Sequence, residues 1–159
     1  MSPTGLEHSD VTGDLYSATR TVARRLGGLV TLPDTGFRFV RPDGRELLLV
    51  PDVAYLGPER VAQLPARGSV ARSRYVNVLP DLAIEVASPD QHRPEMAAKA
   101  QLFLDCGVQL VWVVWSRYRQ VDIWHAGDAQ PSATLGVSDS LDGEEILPGF
   151  TLPLAQLFG

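Results

Sequence analysis

Two carboxylates and one lysine stand out from this 159-residue chain. Asp52 closes a Pro-Asp pair, Glu85 is the single charge in the run Leu82 to Ala87, and Lys99 lies on the helix-like stretch that follows. Lys99 is also the one lysine among fourteen basic residues, the rest being arginine. An ammonium with a tunable pKa does not interchange with a wide, permanently charged guanidinium. A chain that otherwise uses arginine keeps a lysine where an ammonium is needed, although a single lysine in an arginine-biased composition is also open to chance. An ionised carboxylate at Glu85, among Leu82, Ala83, Ile84, Val86 and Ala87, is costly unless it is paired or metal-bound. Strand alternation puts Glu85 on one face with Ala83 and Ala87, two small side chains that leave room for a ligand. Mg²⁺ is commonly held by one or two carboxylates, with waters and substrate phosphate completing an octahedron. Asp52 and Glu85 could supply the carboxylates, and the Val86 backbone carbonyl a third oxygen at a strand edge or bend. A bound divalent ion lowers the pKa of a water and offsets charge on a phosphate. Lys99 would then orient that water or neutralise the developing oxyanion. The chemistry this set suits is metal-assisted phosphodiester cleavage. Lys99 lies near the boundary of the apolar face set by Met96 and Phe103, from which it could snorkel along the core edge towards Glu85. The plainer roles are a helix-surface pair of Lys99 with Glu95, four residues away, and a turn start or exposed strand end for Asp52.

The elements that must position these residues can be read from periodicity. Val11, Leu15, Ala18, Val22 and Leu26 follow helical spacing, with Ser9 or Asp10 as the expected cap and Gly27-Gly28 as the stop. Strands are expected at Leu29 to Leu32, and at 36–40 and 46–50 around the turn Pro42-Asp43-Gly44. Another is expected at 52–55, with Pro51 marking a break, bulge or edge. Residues 57–74 read as irregular, with a helical turn near 59–64. Leu82 to Ala87 reads as a strand buried on both faces. Arg93 to Asp105 reads as a helix that ends before Gly107. Val108 to Trp115 and Val121 to Trp124 read as a hairpin, and the remainder as short strands with a closing helical turn. The expected fold is a single domain over residues 1–159, α/β (α+β) in class, with helices packed on a mixed sheet.

Composition narrows the partners. The apolar and charged fractions are those of an ordinary globular protein. No apolar run is long enough to span a bilayer, and the polar start at Met1 to Asp10 lacks a signal-peptide pattern. Cys106 is the only cysteine, which excludes an internal disulfide and a cysteine metal cluster. A cytoplasmic setting with no membrane partner is the expectation. The net charge of −5 argues against broad non-specific DNA binding but not against a local basic groove. Arg60, Arg67, Arg72 and Arg74 cluster between the two carboxylates, read first as a solvated loop and second as a DNA contact. There is no Gly-X-Ser-X-Gly elbow and no Gly-Lys-Ser/Thr phosphate loop, against serine hydrolases and P-loop enzymes.

Several longer segments resemble a PD-(D/E)XK nuclease, and more narrowly the large bacterial family of restriction endonucleases of the Uma type. Met1-Ser2-Pro3 with Glu7-His8 is similar to that family's entry to its first helix, and Pro51-Asp52-Val53-Ala54 to its Pro-Asp-Val strand. Pro80-Asp81-Leu82-Ala83-Ile84-Glu85-Val86-Ala87-Ser88-Pro89 resembles its most distinctive motif. Lys99, Phe103, Gly107-Val108 and Val111-Trp112 follow at family spacing, and Leu147-Pro148-Gly149-Phe150 with Leu152-Pro153-Leu154 resembles its closing segment. The resemblance implies a restriction-endonuclease-like αβββαβ core, here with an added C-terminal hairpin. It implies Mg²⁺ or Mn²⁺ as cofactor and DNA as substrate. It makes Asp52 and Glu85 metal ligands and Lys99 the catalytic lysine. In the wider superfamily the lysine lies two residues after the acid, where this chain has Ala87; the narrower family takes it from the following helix, which fits Lys99. Phe103 stands where Tyr is common and Trp115 where Asp is common.

The remaining candidates are weaker. His8 is a substrate-binding candidate from the first helix or else a surface residue. His92 and His125 read as loop residues and Cys106 as core. Trp112, Trp115 and Trp124 read as packing or a dimer surface rather than base-stacking platforms. A homodimer suits cleavage of both strands of a duplex. The function expected is a divalent-metal-dependent endonuclease acting on DNA phosphodiesters. The alternative is a non-catalytic nucleic-acid- or partner-binding module on the same fold.

Overall fold

Helix α1 (Leu6–Leu26) starts from Gly5 in extended backbone and ends at Gly27, whose left-handed φ of 77° lets the next N–H, that of Gly28, reach Ala23 O at 2.9 Å. The structure is a computed structural model that describes residues 4–159; the Met1-Ser2-Pro3 part of the family resemblance lies outside the described residues. The helix begins before the expected caps Ser9 and Asp10, both of which lie inside it without a capping role. Its buried line is Val11, Leu15, Thr19 and Ala23, a strict i,i+4 row, with Thr12 beside it. Ala18, Val22 and Leu26 flank that line and are partly buried.

The principal sheet has six strands. In chain order they are β1 (Leu29–Thr31), β4 (Val53–Leu56), β5 (Leu82–Val86), β6 (Leu110–Trp115), β7 (Gln120–His125) and β8 (Ala133–Leu135), and they lie in that order across the sheet. Only β5 and β6 run parallel. A parallel pair needs a long crossover, and α3 (Arg93–Cys106) supplies it, ending at Gly107 with φ 111°. With α1 in front, β1, β4, β5, α3 and β6 give the αβββαβ order, and the β6–β7 hairpin follows. Between β1 and β4 the chain makes a separate two-stranded ribbon, β2 (Phe37–Val40) with β3 (Glu46–Leu49), turned at Gly44 with φ 83°. These strands do not join the sheet. Phe37 and Leu49 are buried, and Phe39 and Leu47 partly so, against the α3 side of the core.

Alternation divides the interior into two layers. Val53, Tyr55, Leu82, Ile84, Val86, Leu110, Trp112 and Val114 face α1. Ala54, Leu56, Ala83, Ala87, Val111, Val113 and Trp115 face α3 and the ribbon, together with Met96, Ala100 and Phe103. The α1 layer is closed by the C-terminal segment: β9 (Ser140–Asp142) pairs with β10 (Thr151–Pro153), and α4 (Leu154–Phe158) follows. The short α2 (Pro58–Val61) and a 3₁₀ turn at Ala71–Ser73 interrupt the irregular stretch before β5. Among the described residues, no helix is long and apolar enough to cross a membrane. Trp112, Trp115 and Trp124 are all buried in the chain's own core, which leaves none of them for a dimer surface.

Candidate active site

The site forms where the β4–β5 ladder stops. Their antiparallel register pairs Val53 with Ile84. Two residues further along, Pro51 would stand opposite Val86, and proline has no N–H for the Val86 carbonyl. The Val86 N–H turns instead to the Asp52 side chain, donating to Oδ2 at 2.8 Å. One Pro-Asp pair thus both ends the strand pairing and fixes a carboxylate at its edge. From the other layer, His8 on α1 brings Nε2 to 3.5 Å of the same Asp52 oxygen, and the Thr12 hydroxyl lies 3.5 Å from His8 Nδ1. Asp52 Oδ1 takes part in neither contact with Oδ2.

Glu85 lies on the α3 face with Ala83 and Ala87, as alternation requires, and is only 3% exposed. Lys99 reaches it from α3: Nζ donates to Oε2 at 2.7 Å. The local i,i+4 pairing with Glu95 does not form, and Glu95 accepts a hydrogen bond from Gln91 instead. Lys99 keeps 39% of its side chain exposed, so the ammonium sits at the boundary between core and solvent. The second Glu85 oxygen, Oε1, is buried without a hydrogen-bond partner. Burial pushes the Glu85 carboxyl up to about 7; the Lys99 charge and hydrogen bond oppose that rise, and the nearby Asp52 charge adds to it. Asp52, Glu85, Val86, Lys99 and His8 are therefore joined by contacts or by charge where the β4–β5 ladder ends.

Two open cavities flank His8. One, of about 520 Å³, is lined by Asp52, Tyr16 and Leu32. The other, of about 580 Å³, is lined by Ala87, Gln91 and Tyr118.

Among the described residues no group of three or more His, Cys, Asp or Glu side chains is placed to hold a metal. Two carboxylates remain, one of them with an orphaned buried oxygen. That fits Mg²⁺ or Mn²⁺, which keep waters and add substrate oxygens, and does not fit a closed zinc site.

Other expected residues lie elsewhere. Arg60 does not line a solvated loop: Nε pairs with Asp81 Oδ1 at 2.8 Å, and its other nitrogens donate to the carbonyls of Leu79, Pro80 and Gly107. Asp81 also accepts from the Gly57 N–H and from Gln109 Nε2. Sequence reading missed this clamp, because its partners are spread over residues 57–109. Arg72 is likewise engaged, with the Pro65 carbonyl. His125 ends β7 and meets Glu144 and Ser132, and His92 is the N-cap residue of α3, its side chain making no capping hydrogen bond. Trp115 donates from Nε1 to buried Asp122, which also meets Arg93 and Thr134.

A family model described as "Uma2: Putative restriction endonuclease" matches residues 1–155. Among solved structures, a "putative nuclease belonging to DUF820" from Anabaena variabilis ATCC 29413 matches with a TM-score of 0.77. That match covers 99% of this chain and 83% of the other at 19% sequence identity, a likeness of fold. No match is found among curated proteins.

Proposed function

The chain belongs to the Uma2 family, and from that premise we propose that it is a divalent-metal-dependent endonuclease hydrolysing DNA phosphodiester bonds. The observation that carries this reading is the Lys99–Glu85 contact of 2.7 Å at a carboxylate whose other oxygen is buried and unpartnered. A lysine held by a core acid, beside a second carboxylate fixed by a peptide N–H, is a costly arrangement to build for stability alone.

In this reading Asp52, Glu85 and the Val86 carbonyl would hold Mg²⁺ or Mn²⁺. When bound, the ion supplies Lewis-acid stabilisation of phosphate charge and makes a water more acidic. Lys99 spends one N–H on Glu85 and has two left for an attacking water or a non-bridging phosphate oxygen. A P–O bond forms from the water, which gives up a proton to solvent; the bridging P–O bond to the leaving strand breaks, and the leaving oxygen takes up a proton from solvent. The Lys99 ammonium counters the charge that grows on the phosphoryl oxygens. The Val86 N–H holds Asp52 in place throughout, so this carboxylate needs no reorganisation.

The test is nicking of supercoiled plasmid with Mn²⁺, with EDTA and the variants Glu85→Ala and Lys99→Ala alongside. The expected result is metal-dependent nicking that falls at least a hundredfold in each variant, which is about 2.7 kcal/mol of transition-state stabilisation. Nicking that survives both variants would place the activity elsewhere. No nicking on any DNA would leave a non-catalytic module on a nuclease fold.

A further inference from the structure

The chain is acidic overall, but its charge is not evenly spread. Residues 36–79 carry seven arginines and four acidic residues, a net +3, so the rest of the chain carries −8. This basic stretch comprises the β2–β3 ribbon, β4, α2 and the irregular segment that leads to β5. Two of its arginines, Arg38 and Arg74, flank Tyr75, an aromatic residue left 61% exposed. Beside them opens a cavity of about 560 Å³, also lined by Gln63, Val70 and Asn77.

The tyrosine is seated by construction. Gly36 has no side chain, and a Cβ there would lie 3.0 Å from the Tyr75 ring and 2.9 Å from Leu48 Cδ1. The ring therefore rests over bare backbone with its remaining surface open. Arg38 is fixed beside it, donating from Nε to Asn77 Oδ1 at 2.7 Å and from Nη1 to Glu46 at 3.2 Å. Among the described residues, Arg74 makes no ion pair or side-chain hydrogen bond, so its charge is available to a ligand.

The chain links the patch to the candidate active site. Leu48 precedes Asp52 by four residues, and chain connectivity alone keeps their Cα atoms within ~14 Å. An exposed aromatic ring between arginines, with a cavity and two amide side chains at its side, suits a base that is not stacked in a duplex. A paired base has no free π-face to offer such a ring.

We propose that the Tyr75 cavity binds one unpaired nucleotide of a DNA strand that continues into the Asp52–Glu85–Lys99 site. Tyr75 stacks on the base, Arg74 and Arg38 meet the flanking phosphates, and Asn77 and Gln63 face the base edge. The inference rests on the nuclease reading for what happens downstream, but the cavity itself is tested by binding alone.

The experiment is fluorescence anisotropy in EDTA, where cleavage is silent, with a labelled 12-nucleotide DNA strand, its blunt duplex and an RNA strand of the same sequence. Single-stranded DNA is expected to bind at least tenfold tighter than the duplex. Tyr75→Ala should weaken strand binding about five- to a hundredfold, the range for one base–aromatic stack, and Tyr75→Phe should restore it. Arg74→Gln should reduce the salt slope by about 0.7. Equal affinity for strand and duplex, or no effect of Tyr75→Ala, would overturn the proposal, and tighter binding of RNA would overturn its assignment to DNA. Tyr75-dependent strand binding without nicking would remove the nuclease reading and leave the cavity standing. Nicking with Tyr75-independent binding would do the reverse.

Discussion

Glu85 carries a charge into the core, and its protonation should therefore be visible in stability. The folded carboxyl sits near 7 because burial disfavours the anion, whereas the ordinary value is 4.5. Between those two values the folded state binds more protons than the unfolded chain, so stability falls as pH rises through that window. In EDTA, urea unfolding from pH 4.5 to 7.5 is expected to show wild type losing on the order of a few kcal/mol relative to Glu85→Gln. A constant difference between the two proteins would mean that Lys99 keeps the acid ionised throughout. The isolation of Glu85 was legible in the sequence because all its near neighbours are apolar. The helical phase of Lys99 was legible too, since Met96 and Phe103 set the buried face. Its partner was legible as one of two: the i,i+4 rule offers Glu95, reach along the core edge offers Glu85, and the crossover from β5 through α3 decides for Glu85. His8 was ambiguous for a related reason, because the expected caps at Ser9 and Asp10 left it outside the helix that in fact positions it beside Asp52.

Elements are held in register here by buried polar clamps as well as by ladders. Asp81 opens β5 and takes hydrogen bonds from the loop after β4 and from the residue before β6, while Arg60 ties the same aspartate to the chain on both sides. Arg60→Ala leaves a mostly buried carboxylate without its cation, and such a loss typically costs about 3–5 kcal/mol. Partial exposure of the pair moderates this, so about 2–4 kcal/mol is expected in urea unfolding, with Arg60→Lys recovering little because one ammonium cannot reach all four acceptors. A cost below about 1 kcal/mol would show that solvent replaces the arginine. The hairpin at Pro42-Asp43-Gly44 was predictable because its turn chemistry is local. Its separation from the main sheet was not, since that depends on Phe37 and Leu49 finding the α3 layer rather than on any pattern within the strands. Arg60 looked like one of four loop arginines for the same reason: beside Asp81, its acceptors are main-chain carbonyls, which leave no mark in a sequence.

At the scale of the whole molecule the sheet divides the interior, and the two halves are completed by different parts of the chain. The α3 layer is closed early, by the ribbon. The α1 layer waits for the last twenty residues, where Leu141, Leu147 and Leu154 are fully buried and Phe150 packs on Trp112 with ring centroids 5.4 Å apart. The closing segment was visible as short strands and a helical turn, but its spacing did not show that it roofs α1 rather than extending the sheet edge. Each large apolar side chain contributes about 1.5–3 kcal/mol when buried. Five of them, counting Leu157, amount to on the order of 10 kcal/mol, comparable to the whole stability of a typical domain. Deleting residues 140–159 should therefore abolish the native state rather than trim it, leaving Val11, Leu15 and Trp112 uncovered. Near-UV circular dichroism of the truncated chain should show no fixed aromatic environment. Leu147→Ala in the full chain should lower stability by about 2–5 kcal/mol without unfolding it. A truncated protein that keeps its near-UV spectrum would mean that α1 and the sheet hold together without this roof, and that the segment is an appendage to the nuclease-like core.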